Sequence, residues 1–433
     1  MPRRNIALLV AIVLFSLICY QKARNDSRYG RILADAMSQI EDRYLEEIDE
    51  DELFEGAMEG MIGRLDDYSA FITPSKLQEF NETLDAEFGG VGMEVRLDPK
   101  TRELTVTCPL VGTPAYEAGI RAGDKILRID DHSTQGMGLK DAVALMRGKP
   151  GTPVSLSVLH QGDKEPVEIS IMRAIIHVDT VLGDTRRADG SWNRFLEGGE
   201  RIGYLRVNTF AKETADELRT ALSWLVEHDM QGLILDLRND PGGLLTAATE
   251  VCDMFIDSGV IVTTRRRDKS ITEKYTATKA GTLGDFPMAV LVNQYSASAS
   301  EIVAACLQDH GRAVVVGQRT WGKGTVQEVI DLGRKQGVLK LTTASYWRPS
   351  EKNIHRTSDA EEDDDWGVRP DKGYEVIVED EDLQRLFDWR MKRDRFIPGS
   401  NGETPAEEQN GPFDDDPQLA RAVEYIRKAV GGG

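Results

Sequence analysis

Beyond Arg173 the chain alternates short apolar runs with amphipathic stretches, and this pattern limits the possible folds most sharply. The runs at 202–208, 232–237, 260–264, 287–293 and 313–317 read as strands. Helical periodicity fills 213–228, 244–257 and 299–309 between several of them. Strands without a polar face must be covered on both sides, so this half of the chain predicts a layered α/β domain. The full 433 residues exceed one ordinary core of about 100–200 residues, so further units are expected upstream.

Those units differ in texture. From Tyr29 to about Leu84 apolar residues recur at helical spacing (Ile32, Leu33, Ala36, Met37, Ile40; Leu53, Phe54, Ala57, Met58, Met61, Leu65), which predicts a small helical unit. From Phe88 the sequence turns to glycine-punctuated strands, ending in the period-two run Val154–Leu159. The run Ala115-x-x-Ala118-Gly119-Ile120-x-x-Gly123-Asp124-x-Ile126-Leu127 resembles a PDZ domain. That resemblance implies a groove taking a peptide C-terminus as an added strand, its carboxylate held by the amides of Gly89, Gly90, Val91, Gly92 and Met93.

At the start, Arg3-Arg4 precede an uncharged run from Ile6 to Tyr20. Fifteen residues at about 1.5 Å each span ~22 Å, short of a ~30 Å hydrocarbon core. No small-x-small cleavage pattern follows, so an uncleaved signal-anchor is expected. Ile18 stands where lipidation of Cys19 would need a small residue. At the other end, an acidic Gly/Pro/Asn stretch and an amphipathic helix carrying Leu419, Val423, Ile426 and Val430 read as peripheral.

The 53 basic and 73 acidic residues give a net charge of −20, which argues against nucleic acid as a partner. Segments 41–55, 359–365 and 399–418 together hold the whole surplus, leaving the remainder balanced. Four cysteines, with no Cys/His cluster, point to neither a disulfide scaffold nor a metal site, and no cofactor is implied.

Three patterns compete for the chemistry. Gly317 to Thr325 approaches a phosphate-binding loop, but Gly324 stands where Ser or Thr would hold magnesium and a β-branched stretch follows instead of a helix. A serine–histidine–acid hydrolase has six histidines to draw on, of which only His310 and His355 are not disfavoured by position, and no G-x-S-x-G turn is present. The third pattern is Ser296-Ala297-Ser298-Ala299-Ser300-Glu301, between an apolar strand and a helix. Ser298 and Glu301 have capping-box spacing, so helix capping alone would account for them. Small flanking residues also leave the Ser298 hydroxyl accessible, with the Ala299 amide aimed at any oxyanion formed there. Gly242-Gly243, in the turn Arg238–Gly243, could supply a second donor. With histidine disfavoured, a desolvated lysine can take the proton, and Lys323 between Gly322 and Gly324 suits that task. An orienting partner, Gln327, would stand about 13 Å away in an extended strand, so a turn bringing the two together is expected.

The blocks Arg238–Leu244, Ser296–Ile302 and Trp321–Gln327 resemble those of the carboxyl-terminal processing proteases, the S41 serine peptidases, over about Tyr29 to Val378. The resemblance implies a crotonase-like layered α/β catalytic core, with Ser298 as nucleophile, Lys323 as general base, Gln327 as its orienter, and structural roles for Ser296 and Ser300. The expected fold class is thus α/β multidomain: a signal-anchor (1–28), a helical region (29–86), a PDZ domain (87–175), a protease domain (176–388, with an acidic insertion at 356–365), and an acidic linker with a C-terminal helix (389–433). The function implied is a membrane-anchored, ATP-independent serine endopeptidase of the bacterial cell envelope, acting in the periplasm on the C-terminal tails of exported proteins. Homo-oligomers or an adaptor protein are compatible with that reading, and an inactive PDZ adaptor or chaperone is the alternative. Relatives often carry a basic residue where His160 and Gln161 stand, so any coupling of peptide binding to activation would differ here or use Arg173.

Overall fold

The computed structural model describes residues 28–187, 190–198, 200–333, 336–394 and 416–431. The expected signal-anchor lies outside them, and among the described residues no helix is long and apolar enough to cross a membrane. The chain divides into two compact units, one running to Leu77 and including Gln327–Thr342, the other made of Gln78–Val326 and the chain from Thr343 onward.

The first unit holds helices α1 (Arg28–Arg43) and α2 (Glu50–Ile62) and strand β1 (Ala70–Ile72). Asp49 caps α2 by accepting from the amides of Asp51 and Glu52, and three acidic residues in the first turn complement the helix dipole. Phe54 meets Phe71 edge to face at 6.0 Å. Helix α3 (Pro74–Asp85) leads into the second unit.

Strand β2 (Glu87–Gly90) pairs with β9 (Ala174–His177). Between them β3 (Met93–Leu97), β4 (Leu104–Pro109), β5 (Lys125–Ile129), β7 (Pro153–Leu159) and β8 (Val167–Met172) form an antiparallel sheet in that order, β6 (His132–Ser133) pairing with β5. Two short helices, α4 (Pro114–Glu117) and α5 (Leu139–Met146), complete the PDZ arrangement. Its core packs Leu104, Val106, Ile126, Ile129, Leu156 and Val158. Strand β3 is the sheet's edge.

The short strands β10 (Val181–Leu182), β11 (Thr185–Arg186) and β12 (Trp192–Asn193) lead to β13 (Ile202–Val207). The chain continues through α6 (Thr214–Glu227), β14 (Gly232–Asp236), α7 (Leu245–Asp253), β15 (Gly259–Arg265), β16 (Ile271–Ala277), β17 (Met288–Val292), α8 (Ala299–Asp309) and β18 (Val314–Gly317). Strands β13, β14, β17 and β18 are parallel neighbours, with β10 antiparallel at the edge. The expected run at 260–264 forms β15, but in a different sheet, paired with β16 and with the end of β20 (Val338–Trp347), which follows β19 (Thr325–Asp331).

Successive side chains of the parallel strands point to opposite faces. Leu205, Leu233, Leu235, Val290 and Val315 pack against α6, α7 and α8. Tyr204, Ile234, Leu291 and Val316 pack on the other face against Leu419, Ala422, Val423 and Ile426 of the last helix, α10 (Pro417–Gly431). This corrects the expectation that α10 is peripheral: a sheet apolar on both faces needs two layers, and α10 is the second. Arg238 ties it down, pairing with Asp236 at 2.7 Å and Asp416 at 2.9 Å in a buried cluster. Ile426→Asp places a carboxylate against the sheet and is expected to cost at least about 3 kcal/mol in urea unfolding; an unchanged midpoint would make α10 dispensable.

A second correction concerns the chain after Val378. Helix α9 (Asp380–Arg393) straddles the boundary expected at 388/389 between the protease domain and the acidic linker.

Candidate active site

The three motif blocks follow the carboxyl ends of β14, β17 and β18, adjacent strands of the parallel sheet. In open α/β sheets this is where reactive groups collect, because the loops leaving neighbouring strands converge there.

After β17, Ser296 Oγ donates to Leu237 O at 2.8 Å, and Ser300 Oγ donates to Asp240 O at 3.1 Å. The outer serines thus stitch the serine block to the turn after β14. Ser298 differs. Its backbone sits at φ 55°, ψ −112°, a conformation that costs a non-glycine residue of order 1–3 kcal/mol and presents the side chain at the head of a helix. Its hydroxyl lies beside Tyr346, a buried phenol whose pKa burial raises. No local signal in the sequence links Tyr346 to Ser298, because it arrives from β20, far along the chain.

Gly242 (φ 95°) packs so closely that a Cβ would stand 2.8 Å from both Ser298 Cβ and the Ala299 amide nitrogen. Glycine is therefore required by contact as well as by backbone conformation. The Gly242 amide, however, donates to Asp240 Oδ1 at 2.8 Å, which corrects its expected role as an oxyanion donor. A short polar side chain two residues upstream captures that amide in an Asx turn.

Asp240 is fully buried, and burial pushes its carboxyl well above the usual carboxylate range, opposed by the Gly242 amide and Ser300. A raised folded pKa contributes stability that is complete below the unfolded value near 3.8 and is lost as pH rises through the folded one. Asp240→Asn keeps the acceptor for Gly242 and cannot ionise. The variant is expected to melt with wild type at pH 4 and several degrees above it at pH 9; parallel melting curves across that range would contradict a neutral Asp240.

After β18, the loop carrying Lys323 is fixed to the serine block by one carboxylate. Glu301 Oε2 accepts from the amides of Ser298 and Lys323, both at 2.8 Å. Glu301 Oε1 accepts from the Gly322 amide at 2.7 Å and from Thr320 Oγ1 at 2.6 Å. The backbones of Ser298 and Lys323 are therefore bridged by a single oxygen atom. Burial raises the Glu301 carboxyl to about 7, against the pull of these four donors. Capping-box spacing signals the Glu301–Ser298 contact, whereas the bonds to the lysine loop join segments far apart in sequence.

The acidic insertion supports the same loop through its backbone. Arg319 lies over the Trp366 ring at 3.3 Å and donates to the carbonyls of Glu362, Asp364 and Trp366. The Glu362 carboxylate also pairs with Arg319, at 3.6 Å, from a side chain that is 78% exposed. The turn expected between Lys323 and Gln327 is not formed, because β19 begins at Thr325 and is extended. In the first unit, Gln327 Nε2 donates to Thr342 Oγ1 at 3.3 Å, and Thr342 donates to Asp66 at 3.2 Å.

His310 Nε2 bonds the Val260 carbonyl at 2.8 Å, a structural use. The His355 backbone lies against Gly324. Among the described residues no group of acidic, histidine or cysteine side chains could hold a metal ion.

In the PDZ region a cavity of about 540 Å³ is lined by Gly90, Val91, Gly92 and Met93 together with Val143 and Met146 of α5. Gly89 is not among its lining residues; its carbonyl accepts from Gly148 N. The carbonyls of Val91 and Gly92 are anchored to Ala115 N and Leu110 N, which fixes the loop from behind. Gly92 (φ 80°) allows this, since a Cβ would overlap the Thr113 side chain at 2.3 Å. Arg173 donates to the carbonyls of Leu145, Met146 and Pro153, securing the end of α5.

PDZ folds take up peptide chains, and here one shares a compact unit with a serine held at a strained strand-to-helix turn, an arrangement that suits a serine peptidase. Family models agree: peptidase family S41 matches residues 201–372, a PDZ domain 105–159, and the N-terminal domain of the activating protease CtpB 21–74. The chain is 34% identical to the carboxy-terminal-processing protease of Bartonella bacilliformis, over 97% of this chain and 93% of that one. It is 37% identical to the carboxyl-terminal-processing protease of a Synechocystis species (73% and 70% covered) and 35% identical to carboxy-terminal processing protease CtpA of Bacillus subtilis (81% and 72%). The chain belongs to the S41 peptidase family, as a carboxyl-terminal processing serine endopeptidase with a PDZ domain.

Proposed function

We propose that this protein is an envelope protease anchored in a bacterial membrane by its first segment, with the catalytic body outside the cytoplasm. Its PDZ groove recognises C-terminal tails of exported proteins, and a Ser298/Lys323 dyad cleaves them without ATP or metal. Lys323, as a neutral amine, takes the proton from Ser298 as Oγ attacks the scissile carbonyl, and the lysine then protonates the leaving amine. The amides of Ala299 and Gly243 receive the oxyanion, and water releases the acyl group by the reverse proton path.

One observation carries this reading: the backbones of Ser298 and Lys323 are held by the same oxygen of Glu301. The anchor and export reading rests on the uncharged run from Ile6 to Tyr20 behind Arg3-Arg4. Comparison of protein C-termini in cells carrying wild type or Ser298→Ala tests it. Envelope proteins with longer C-termini are expected to accumulate in the variant; a change confined to cytoplasmic proteins would reject the assigned location.

A further inference from the structure

The PDZ cavity has a wall that the PDZ fold does not supply. Beside the residues of β3 and α5, it is lined by Phe387, Asp388 and Met391 of α9. Phe387 and Met391 are four residues apart on one helix and so share a face. Phe387 is 53% exposed, an aromatic left at the mouth of a groove to which Val91, Met93, Val143 and Met146 give an apolar lining.

Elsewhere α9 is clamped to the catalytic domain. Arg390 donates to the carbonyl of the buried Asp184 at 2.8 Å, and Arg393 to its Oδ2 at 2.9 Å. Arg206 bonds Asp394, just past the helix, at 2.6 Å. Paired and buried arginines of this kind fix a helix, since removing a partner strands a charge away from water. A helix so fixed holds Phe387 and Met391 at a set position facing the groove. The space between them and β3 stays open, at about 540 Å³, enough for several side chains. As the edge of its sheet, β3 can accept a peptide strand, whose alternate side chains would then point across this space.

We propose that α9 is the outer wall of the tail-binding groove and that Phe387 and Met391 are specificity-determining residues, selecting substrates with an apolar side chain upstream of the terminal residue. The inference rests on the reading of the PDZ groove as the tail site.

The test uses the full chain carrying Ser298→Ala, so that ligand is bound and not cut. The probe is a fluorescein-labelled decapeptide with four apolar C-terminal residues and a free carboxylate, followed by fluorescence anisotropy. Phe387→Ser and Met391→Ser are expected to raise Kd at least fivefold, and Phe387→Leu to restore it within about twofold. Serine at the upstream positions of the peptide is expected to erase the difference between the Phe387→Ser protein and its parent. Melting temperatures establish that each variant is folded. Met146→Asp, deep in the groove, separates the two levels of the argument. If it leaves binding intact, or if the C-terminal amide of the peptide binds as well as the acid, the tail-groove reading falls and this inference with it. If Met146→Asp abolishes binding while Phe387→Ser leaves Kd unchanged, the wall alone is wrong. Tighter binding by Phe387→Ser would make α9 an occluding lid, and the wall would again be overturned.

Discussion

Ser298→Ala and Lys323→Ala are each expected to lower kcat/KM for casein by roughly 10⁴-fold or more, with circular dichroism and melting temperature close to wild type. Under the proposed mechanism, removing Oγ removes the atom that would form the acyl bond, and removing the amine leaves the hydroxyl without a proton acceptor. Because the two would then act in one step, the double variant should be little worse than either single one. The histidine next to the lysine loop supplies a control: His355→Ala should retain most activity. If Lys323→Ala stays active and His355→Ala does not, the base has been misassigned.

Glu301→Gln is the second large effect. Each carboxylate oxygen accepts two hydrogen bonds, and an amide can replace only one oxygen. The least damaging placement puts NH₂ beside Thr320, whose hydroxyl can turn and accept, but strands the Gly322 amide. The other placement strands the amides of Ser298 and Lys323. A buried orphaned donor costs about 1–3 kcal/mol, and displacement of the lysine loop adds a loss of alignment, so kcat is expected to fall at least about 10²-fold with KM little changed. The substitution also removes a titration. Because burial raises Glu301 to about 7, wild-type stability attributable to this group is complete below the ordinary value of 4.5 and is lost as pH rises through 7. Wild type should therefore lose stability relative to Glu301→Gln as pH rises from 4.5 through about 7; constant differences in melting temperature over that range would contradict it.

The sequence and the structure part company at identifiable places. The parallel strands were legible because Leu233–Leu235, Met288–Val292 and Val314–Val316 are apolar without interruption, as strands buried on both faces must be. Which strands shared a sheet was not legible: β15 also carries an apolar, β-branched run but leaves the parallel sheet to pair with β16 and β20. Helix α10 reads as peripheral because it follows an acidic, turn-rich stretch, and no local signal says which face of a distant sheet an amphipathic helix covers. Gly242 has the backbone freedom of an oxyanion donor, but Asp240 holds its amide. Likewise, the turn expected after Lys323 lost to the strand propensity of Thr325-Val326, which the pairing of β19 with β20 reinforces.

By itself, then, the sequence determined the types of most elements and the PDZ run, and it offered Ser298 and Lys323 as candidates for chemistry, because periodicity, glycine placement and small-residue flanks are local properties of the chain. Only the tertiary structure decided how they meet. It brought Glu301 under both Ser298 and Lys323, set Tyr346 against the serine, closed the second face of the sheet with α10 and laid α9 along the PDZ groove. Each of these arrangements joins residues from separate segments, and they form only where burial of apolar surface has already brought those segments together.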